Sequence, residues 1–125
     1  KAVLFSQLSK LAVPGRECPY CPETNELLQE VASLTDKIKL ETYDLYQDQA
    51  KAQEYGVDLI PAIILATDGA RNVRYYGIPA GNEFPNFVEA VIHLSKGGNA
   101  LSPQAQEEVR KIDQDLHVQV FVTPT

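Results

Sequence analysis

The apolar positions of this chain change period from two to about 3.6 and back, which predicts strands alternating with helices. A short apolar run opens the chain, and apolar residues at near-helical spacing follow its two cysteines. The first half is therefore predicted to form a strand, a helix, a strand and a short polar helix over residues 2–7, 21–34, 39–45 and 47–55. Gly56 suits a left-handed cap at the end of the second helix.

The second half continues the alternation. Residues 61–66 are apolar on both faces, as in a strand that is covered on both sides. Asp68-Gly69 marks a turn before a further strand at residues 72–76, so the two strands form a predicted hairpin. Asn82 is positioned to cap a helix that stops at residues 96–98. Its apolar residues fall at i, i+3, i+4, i+7 and i+8, namely Phe84, Phe87, Val88, Val91 and Ile92.

The resulting order is β-α-β-α-β-β-α, followed by an extra helix and strand, and it predicts an α/β fold. Ser102 and Pro103 have the residue types preferred at a helix cap and a first helical position. Residues 116–122 alternate as a final strand. We expect its edge to be covered by a second unit, by another copy of the chain, or by the same sheet.

Composition and charge exclude several classes of function. The chain has 125 residues, enough for one domain, and a net charge of −6 without a basic block, which argues against nucleic-acid binding. Its longest apolar run is too short to cross a bilayer, and its first residues do not resemble a signal peptide. Because methionine is absent even at position 1, we expect the sequence to be a piece of a longer chain.

The candidate chemistry lies in the two cysteines, which form the motif Cys18-Pro19-Tyr20-Cys21. A bridge across so short a loop contributes little stability, which favours a disulfide that opens and closes. Two other interpretations stay open: half of a zinc site, for which only the distant His93 and His117 are available, and two structural cysteines.

Placement near the start of a helix favours a thiolate, since the unpaired N–H groups there carry partial positive charge. Cys18, at the outer edge of the turn, is the predicted nucleophile, and Cys21 the resolving thiol. Pro19 fits a first helical position if Cys18 is the cap. Because Pro22 lacks an N–H, either this first turn is distorted or the regular helix begins at Pro22. Arg16 and Lys10 could add positive potential there and Glu17 could oppose it, but Lys10 and Glu17 are expected to be solvated loop charges. Two acids, Glu41 and Asp44, are candidate proton acceptors for Cys21.

The element order with this motif between the first strand and helix resembles the thioredoxin fold, and Cys-Pro-Tyr-Cys is the glutaredoxin pattern. Ile60-Pro61 before an apolar strand resembles the cis-proline that faces the cysteines in this superfamily. A third stretch resembles the two-unit protein disulfide oxidoreductases and the N-terminal part of the flavoprotein that reduces the alkyl hydroperoxide peroxiredoxin. It reads Gly77-Ile78-Pro79-Ala80-Gly81-Asn82-Glu83-Phe84.

The resemblance implies a thioredoxin-like unit at residues 1–98, with a mixed sheet covered by helices on both faces. Residues 99–125 would be a linker helix and the first strand of a second unit. It also implies a cytoplasmic thiol–disulfide oxidoreductase for protein substrates, recharged by a reductase partner. No cofactor, metal, nucleic acid or membrane is implied, while self-association through the final strand is expected. The alternative function is a non-catalytic module of a larger redox protein.

The same resemblance assigns the site residues. Cys18 and Cys21 would be catalytic, and the substrate-binding residues would be Pro19, Tyr20, Ile60 and Pro61. An extended substrate segment would pair with the backbone at Ile60. The glycine pair and acid that accompany glutathione binding in glutaredoxins are not reproduced at residues 81–83, so glutathione is not implied as a direct substrate.

Overall fold

The computed structural model describes residues 1–8, 14–66, 73–97 and 101–121. Its elements follow the predicted order, with bounds that differ from the predictions by one or two residues. They are β1 (Ala2–Ser6), α1 (Cys21–Ser33), β2 (Leu40–Asp44), α2 (Gln49–Tyr55), β3 (Ala62–Leu65), β4 (Val73–Tyr76), α3 (Glu83–Lys96) and α4 (Pro103–Arg110). The turn predicted at Asp68-Gly69 lies outside the described residues.

Within the described part of the chain, four strands form one mixed sheet in the order β2-β1-β3-β4. β1 runs parallel to β2 and antiparallel to β3, and β4 runs antiparallel to β3. The two central strands are buried along their whole length. This confirms the prediction from residues 61–66 of a strand covered on both faces.

Helices cover both faces of the sheet, so successive side chains of each central strand enter different cores. Leu4 and Ile63 pack on one face with Leu28 of α1 and Phe87 of α3. On the opposite face, Phe5, Ala62 and Ile64 pack with Ala52 of α2. The predicted mixed sheet with helices on both faces is confirmed.

The helix ends show which capping predictions hold. Gly56 is left-handed with φ 62°, and its N–H is bonded to the last turn of α2, as predicted. Ser102 caps α4 by accepting a hydrogen bond from the N–H of Ala105 at 3.2 Å. The side-chain cap predicted for Asn82 is wrong, because this residue has helical backbone angles and its side chain makes no cap hydrogen bond. A capping side chain needs an extended backbone to reach the following N–H groups.

The predicted final strand is not formed over residues 115–121, which have no regular secondary structure. None of the described strands pairs with this segment, so its backbone groups join no ladder. Its apolar side chains are exposed, with Phe121 at 89%. Every helix in the described part of the chain is too short or too polar to cross a lipid bilayer.

Candidate active site

Both cysteines lie between the carboxyl end of β1 and the first turn of α1. The N–H of Cys21 donates to the carbonyl of Cys18 at 3.2 Å, which closes a tight turn over the motif. Helix α1 begins at Cys21 with Tyr20 as its N-cap residue, so Cys18 precedes the helix instead of capping it. Pro22 occupies the first turn of α1, where its missing N–H removes no hydrogen bond within the helix.

The two cysteines form a disulfide with their Cα atoms 5.4 Å apart. Cys21 is 1% exposed, whereas Cys18 is half-buried. A partner molecule therefore reaches the sulfur of Cys18 more readily than that of Cys21. This difference in accessibility agrees with the predicted positions of the two residues, one at the outer edge of the turn and one further in.

Gln7, directly after β1, contacts both cysteines through different groups. Its backbone N–H donates to the Sγ of Cys21 at 3.4 Å, and its side-chain Oε1 accepts from the N–H of Cys18 at 3.2 Å. The motif is thereby joined to the end of a buried strand. Sequence reasoning missed Gln7, since nothing in a glutamine eleven residues before a cysteine indicates that the chain returns to it.

Thr24 stabilises the first turn of α1 through two hydrogen bonds. It is buried, and both its N–H and its hydroxyl donate to the carbonyl of Tyr20, at 3.0 and 2.6 Å. Tyr20 itself is 55% exposed, and Pro19 is exposed beside it. The two residues between the cysteines therefore form an open surface above a fixed helix start.

The Ile60–Pro61 peptide bond is cis, as the sequence predicted, and Pro61 is buried. In the β1–β3 register, Phe5 lies opposite Ala62. Continuing this antiparallel register places Pro61 opposite Ser6 and Ile60 opposite Gln7. The predicted substrate-binding residues thus lie at the same end of the sheet as the cysteine pair.

Of the two candidate acids, only Asp44 lies at this end of the sheet. Asp44 is paired in register with Ser6, is 2% exposed, and accepts a hydrogen bond from the N–H of Leu8 at 2.8 Å. Its other carboxylate oxygen accepts from the N–H groups of Tyr46 and Gln47 at 2.9 and 3.1 Å. The carboxylate therefore ties the segment after β1 to the turn after β2.

Glu41 lies three residues earlier, opposite Val3, away from the cysteines. Its carboxylate is 2.7 Å from the Nζ of Lys1 and accepts from the hydroxyl of Tyr43 at 3.0 Å. The hydrogen bond from Lys1, and then that from Tyr43, lowers the pKa of Glu41 and favours its charged form. Glu41 therefore lies near the start of β1 and is paired with Lys1, away from the end of the sheet that carries the cysteine pair.

The charged residues before the motif have partners of their own. The guanidinium of Arg16 lies 5.0 Å from the centre of the Tyr46 ring, and the carboxylate of Glu17 accepts from the N–H of Gly15 at 3.1 Å. Lys10 lies outside the described residues.

The two histidines considered as zinc ligands lie apart from the cysteines in the sequence. His93 is 3.8 Å from Glu89 on the same helix, and His117 is exposed. No cluster of three or more potential metal ligands occurs among the residues that the structure describes.

Comparison with known proteins gives evidence on the family of this chain that does not depend on the geometry of the site. Residues 9–89 match the model of the thioredoxin domain family. A probable thioredoxin from Methanothermobacter thermautotrophicus is 42% identical over 67 residues, which are 53% of this chain and 74% of that protein.

Solved structures match over a longer part of the chain. A protein disulfide oxidoreductase from Aeropyrum pernix K1 superposes with a TM-score of 0.69 over 88% of this chain, at 24% identity. A component of the alkyl hydroperoxide reductase of Enterococcus faecalis superposes with a TM-score of 0.67 over 87%, at 28% identity. The chain spans 46% and 50% of the lengths of these two structures.

Proposed function

The chain belongs to the thioredoxin domain family, and from this we propose that it is a thiol–disulfide oxidoreductase acting on protein substrates through the Cys18-Pro19-Tyr20-Cys21 site. One observation carries the proposal: a disulfide joins a half-buried and a fully buried cysteine at the start of a helix. That arrangement supplies one sulfur for attack and one for resolution, as dithiol exchange requires.

In the reducing direction, the thiolate of Cys18 attacks one sulfur of a substrate disulfide. A bond forms between Cys18 and that sulfur while the substrate disulfide breaks, and the other substrate sulfur leaves as a thiolate that takes a proton from water. Cys21 then gives its proton to water, and its thiolate attacks the Sγ of Cys18. The Cys18–Cys21 disulfide forms while the bond from Cys18 to the substrate breaks, and the released substrate sulfur leaves as a thiolate that takes up a proton. The substrate gains two electrons, and the Cys18–Cys21 pair is oxidised.

One feature favours the thiolate of Cys18 in the reduced protein, and another favours resolution of the mixed disulfide. The positive end of the α1 dipole lies at the motif, which lowers the pKa of a thiol placed there. The tight turn to Cys21 holds the resolving sulfur next to the mixed disulfide.

Substrate recognition is assigned to the open surface around Cys18. Pro19 and Tyr20 are exposed beside Cys18. Ile60 and Pro61 lie opposite the end of β1 in the antiparallel register. We expect an extended substrate segment to add to the backbone at Ile60 by strand pairing. A reductase partner that restores the dithiol, and a cytoplasmic location, belong to the same proposal. The similarity to a component of alkyl hydroperoxide reductase supports such a partner.

Insulin reduction in the presence of dithiothreitol tests the function. The wild-type chain should accelerate precipitation of the insulin B chain, Cys18→Ser should abolish this activity, and Cys21→Ser should accumulate a mixed disulfide with the substrate. An inactive wild-type chain would contradict the proposal. If its reduction potential also lay far below that of the glutathione pool, the pair would be an idle disulfide in a non-catalytic module.

A further inference from the structure

A groove of about 460 Å³ lies between α1 and the segment that follows β4. Half-buried apolar side chains line its inner part, contributed by Leu27, Ile78 and Phe84. Exposed carboxylates line its outer part, and these belong to Glu23, Glu26 and Glu30 of α1.

Both walls of the groove belong to segments that are connected to the cysteine site. Glu23 follows Cys21 by two residues in the first turn of α1. On the opposite side, the segment lining the groove begins after Gly77, whose N–H donates to the carbonyl of Pro61 at 2.9 Å. A substrate segment that left the cysteine pair along the first turn of α1 would therefore meet the groove at Glu23.

The three glutamates lie on one face of α1, since their spacing is i, i+3 and i+7. Their carboxylates make no ion pair or hydrogen bond with any other described residue, and no described lysine or arginine lines the groove. The chain as a whole has a net charge of −6. The negative charge of this face is therefore available to a binding partner.

An apolar inner surface below a row of carboxylates matches the shape of lysine and arginine side chains. Their aliphatic stems pack on apolar surface while their charged ends stay at the rim. Resting on the proposed function, we propose that this groove selects protein substrates in which lysine or arginine flanks the disulfide. The charges then increase the rate of encounter and orient the substrate segment along α1.

The test measures the second-order rate constant for oxidation of the fully reduced chain by three cyclic peptide disulfides. The peptides are identical except that their cysteines are flanked by lysine, glutamine or glutamate. Because charge complementarity acts mainly on association, the wild-type chain should react about tenfold faster with the lysine peptide than with the glutamine peptide at low salt. At 0.5 M salt, screening should bring the two rates close together.

A pair of matched variants separates the groove from the net charge. Glu23→Gln/Glu26→Gln/Glu30→Gln should lose the preference for lysine. The control variant, Asp36→Asn/Glu89→Gln/Glu107→Gln, changes the net charge equally at exposed positions outside the groove and should keep it. All six substituted side chains are exposed, so both variants should retain the wild-type circular dichroism spectrum.

Failure of this inference is distinct from failure of the proposed function. If both triple variants lose the lysine preference equally, or if wild type shows none, the groove does not select substrates, although reduction of the glutamine peptide still supports the oxidoreductase. If the reduced wild-type chain reacts with none of the three peptides, the proposed function itself is wrong.

Discussion

Gln7 illustrates how a single residue outside the motif holds the cysteine pair. Its backbone N–H reaches the buried Sγ of Cys21, and its side-chain oxygen accepts from the N–H of Cys18. A substitution changes only the side-chain contact, because the backbone N–H remains in any variant except proline. The two contacts can therefore be separated by experiment.

We expect Gln7→Glu to raise the pKa of the Cys18 thiol in the reduced protein. The new carboxylate replaces a neutral oxygen that lies 3.2 Å from the Cys18 nitrogen, and a nearby like charge disfavours a thiolate, by about one pKa unit at this range. The pH dependence of iodoacetamide alkylation measures the shift. Gln53→Glu, at an exposed position of α2, is the control and should leave the profile unchanged. An equal shift in both variants, or none in Gln7→Glu, would show that Gln7 does not set the environment of Cys18.

At the scale of the element, the start of α1 depends on the buried hydroxyl of Thr24. Thr24→Val keeps the shape of the side chain but removes the donor to the Tyr20 carbonyl, and we expect a loss of about 1–2 kcal/mol in the free energy of unfolding, as for one buried hydrogen bond. Urea unfolding measures this loss. Ser33→Ala removes an exposed hydroxyl that donates to Glu30 at the other end of the same helix. It should change the stability by less than about 0.5 kcal/mol. If both substitutions lower the free energy of unfolding by the same amount, the hydroxyl at the start of the helix has no special role.

Elements were predictable from the sequence where local patterns and tertiary packing agree. The strand at Ala62–Leu65 is buried on both faces, and a purely apolar run predicts that placement. The prediction of a final strand was wrong because a strand forms only when a neighbouring strand pairs with it. The alternation of residues 116–122 does not supply such a partner. The contacts of Gln7 with the cysteines and the position of Glu41 away from them depend on how segments far apart in sequence pair, and no local pattern contains that information.

At the scale of the whole molecule, the two described cores are formed by residues that precede α4. Residues 101–121 contribute no buried side chain, and apolar residues there are exposed, among them Leu116, Val118, Val120 and Phe121. We therefore propose that residues 1–98 form a thioredoxin-like unit, as the family resemblance implied. Residues 99–125 would then be a linker helix and a strand that needs a second unit or another copy for its pairing.

A chain ending at residue 98 should therefore keep the thermal unfolding midpoint of the full chain within about 3 °C, since the removed segment buries little apolar surface. Over a concentration series in size-exclusion chromatography, the full chain should associate and the shorter chain should remain monomeric. Val118→Ser/Val120→Ser/Phe121→Ser in the 125-residue chain is the matched control and should also remain monomeric, because it removes the three most exposed apolar side chains of the segment without changing the length. A shorter chain that fails to fold would show that residues 99–125 belong to the first unit. A full chain that stays monomeric at every concentration would contradict association through the final segment.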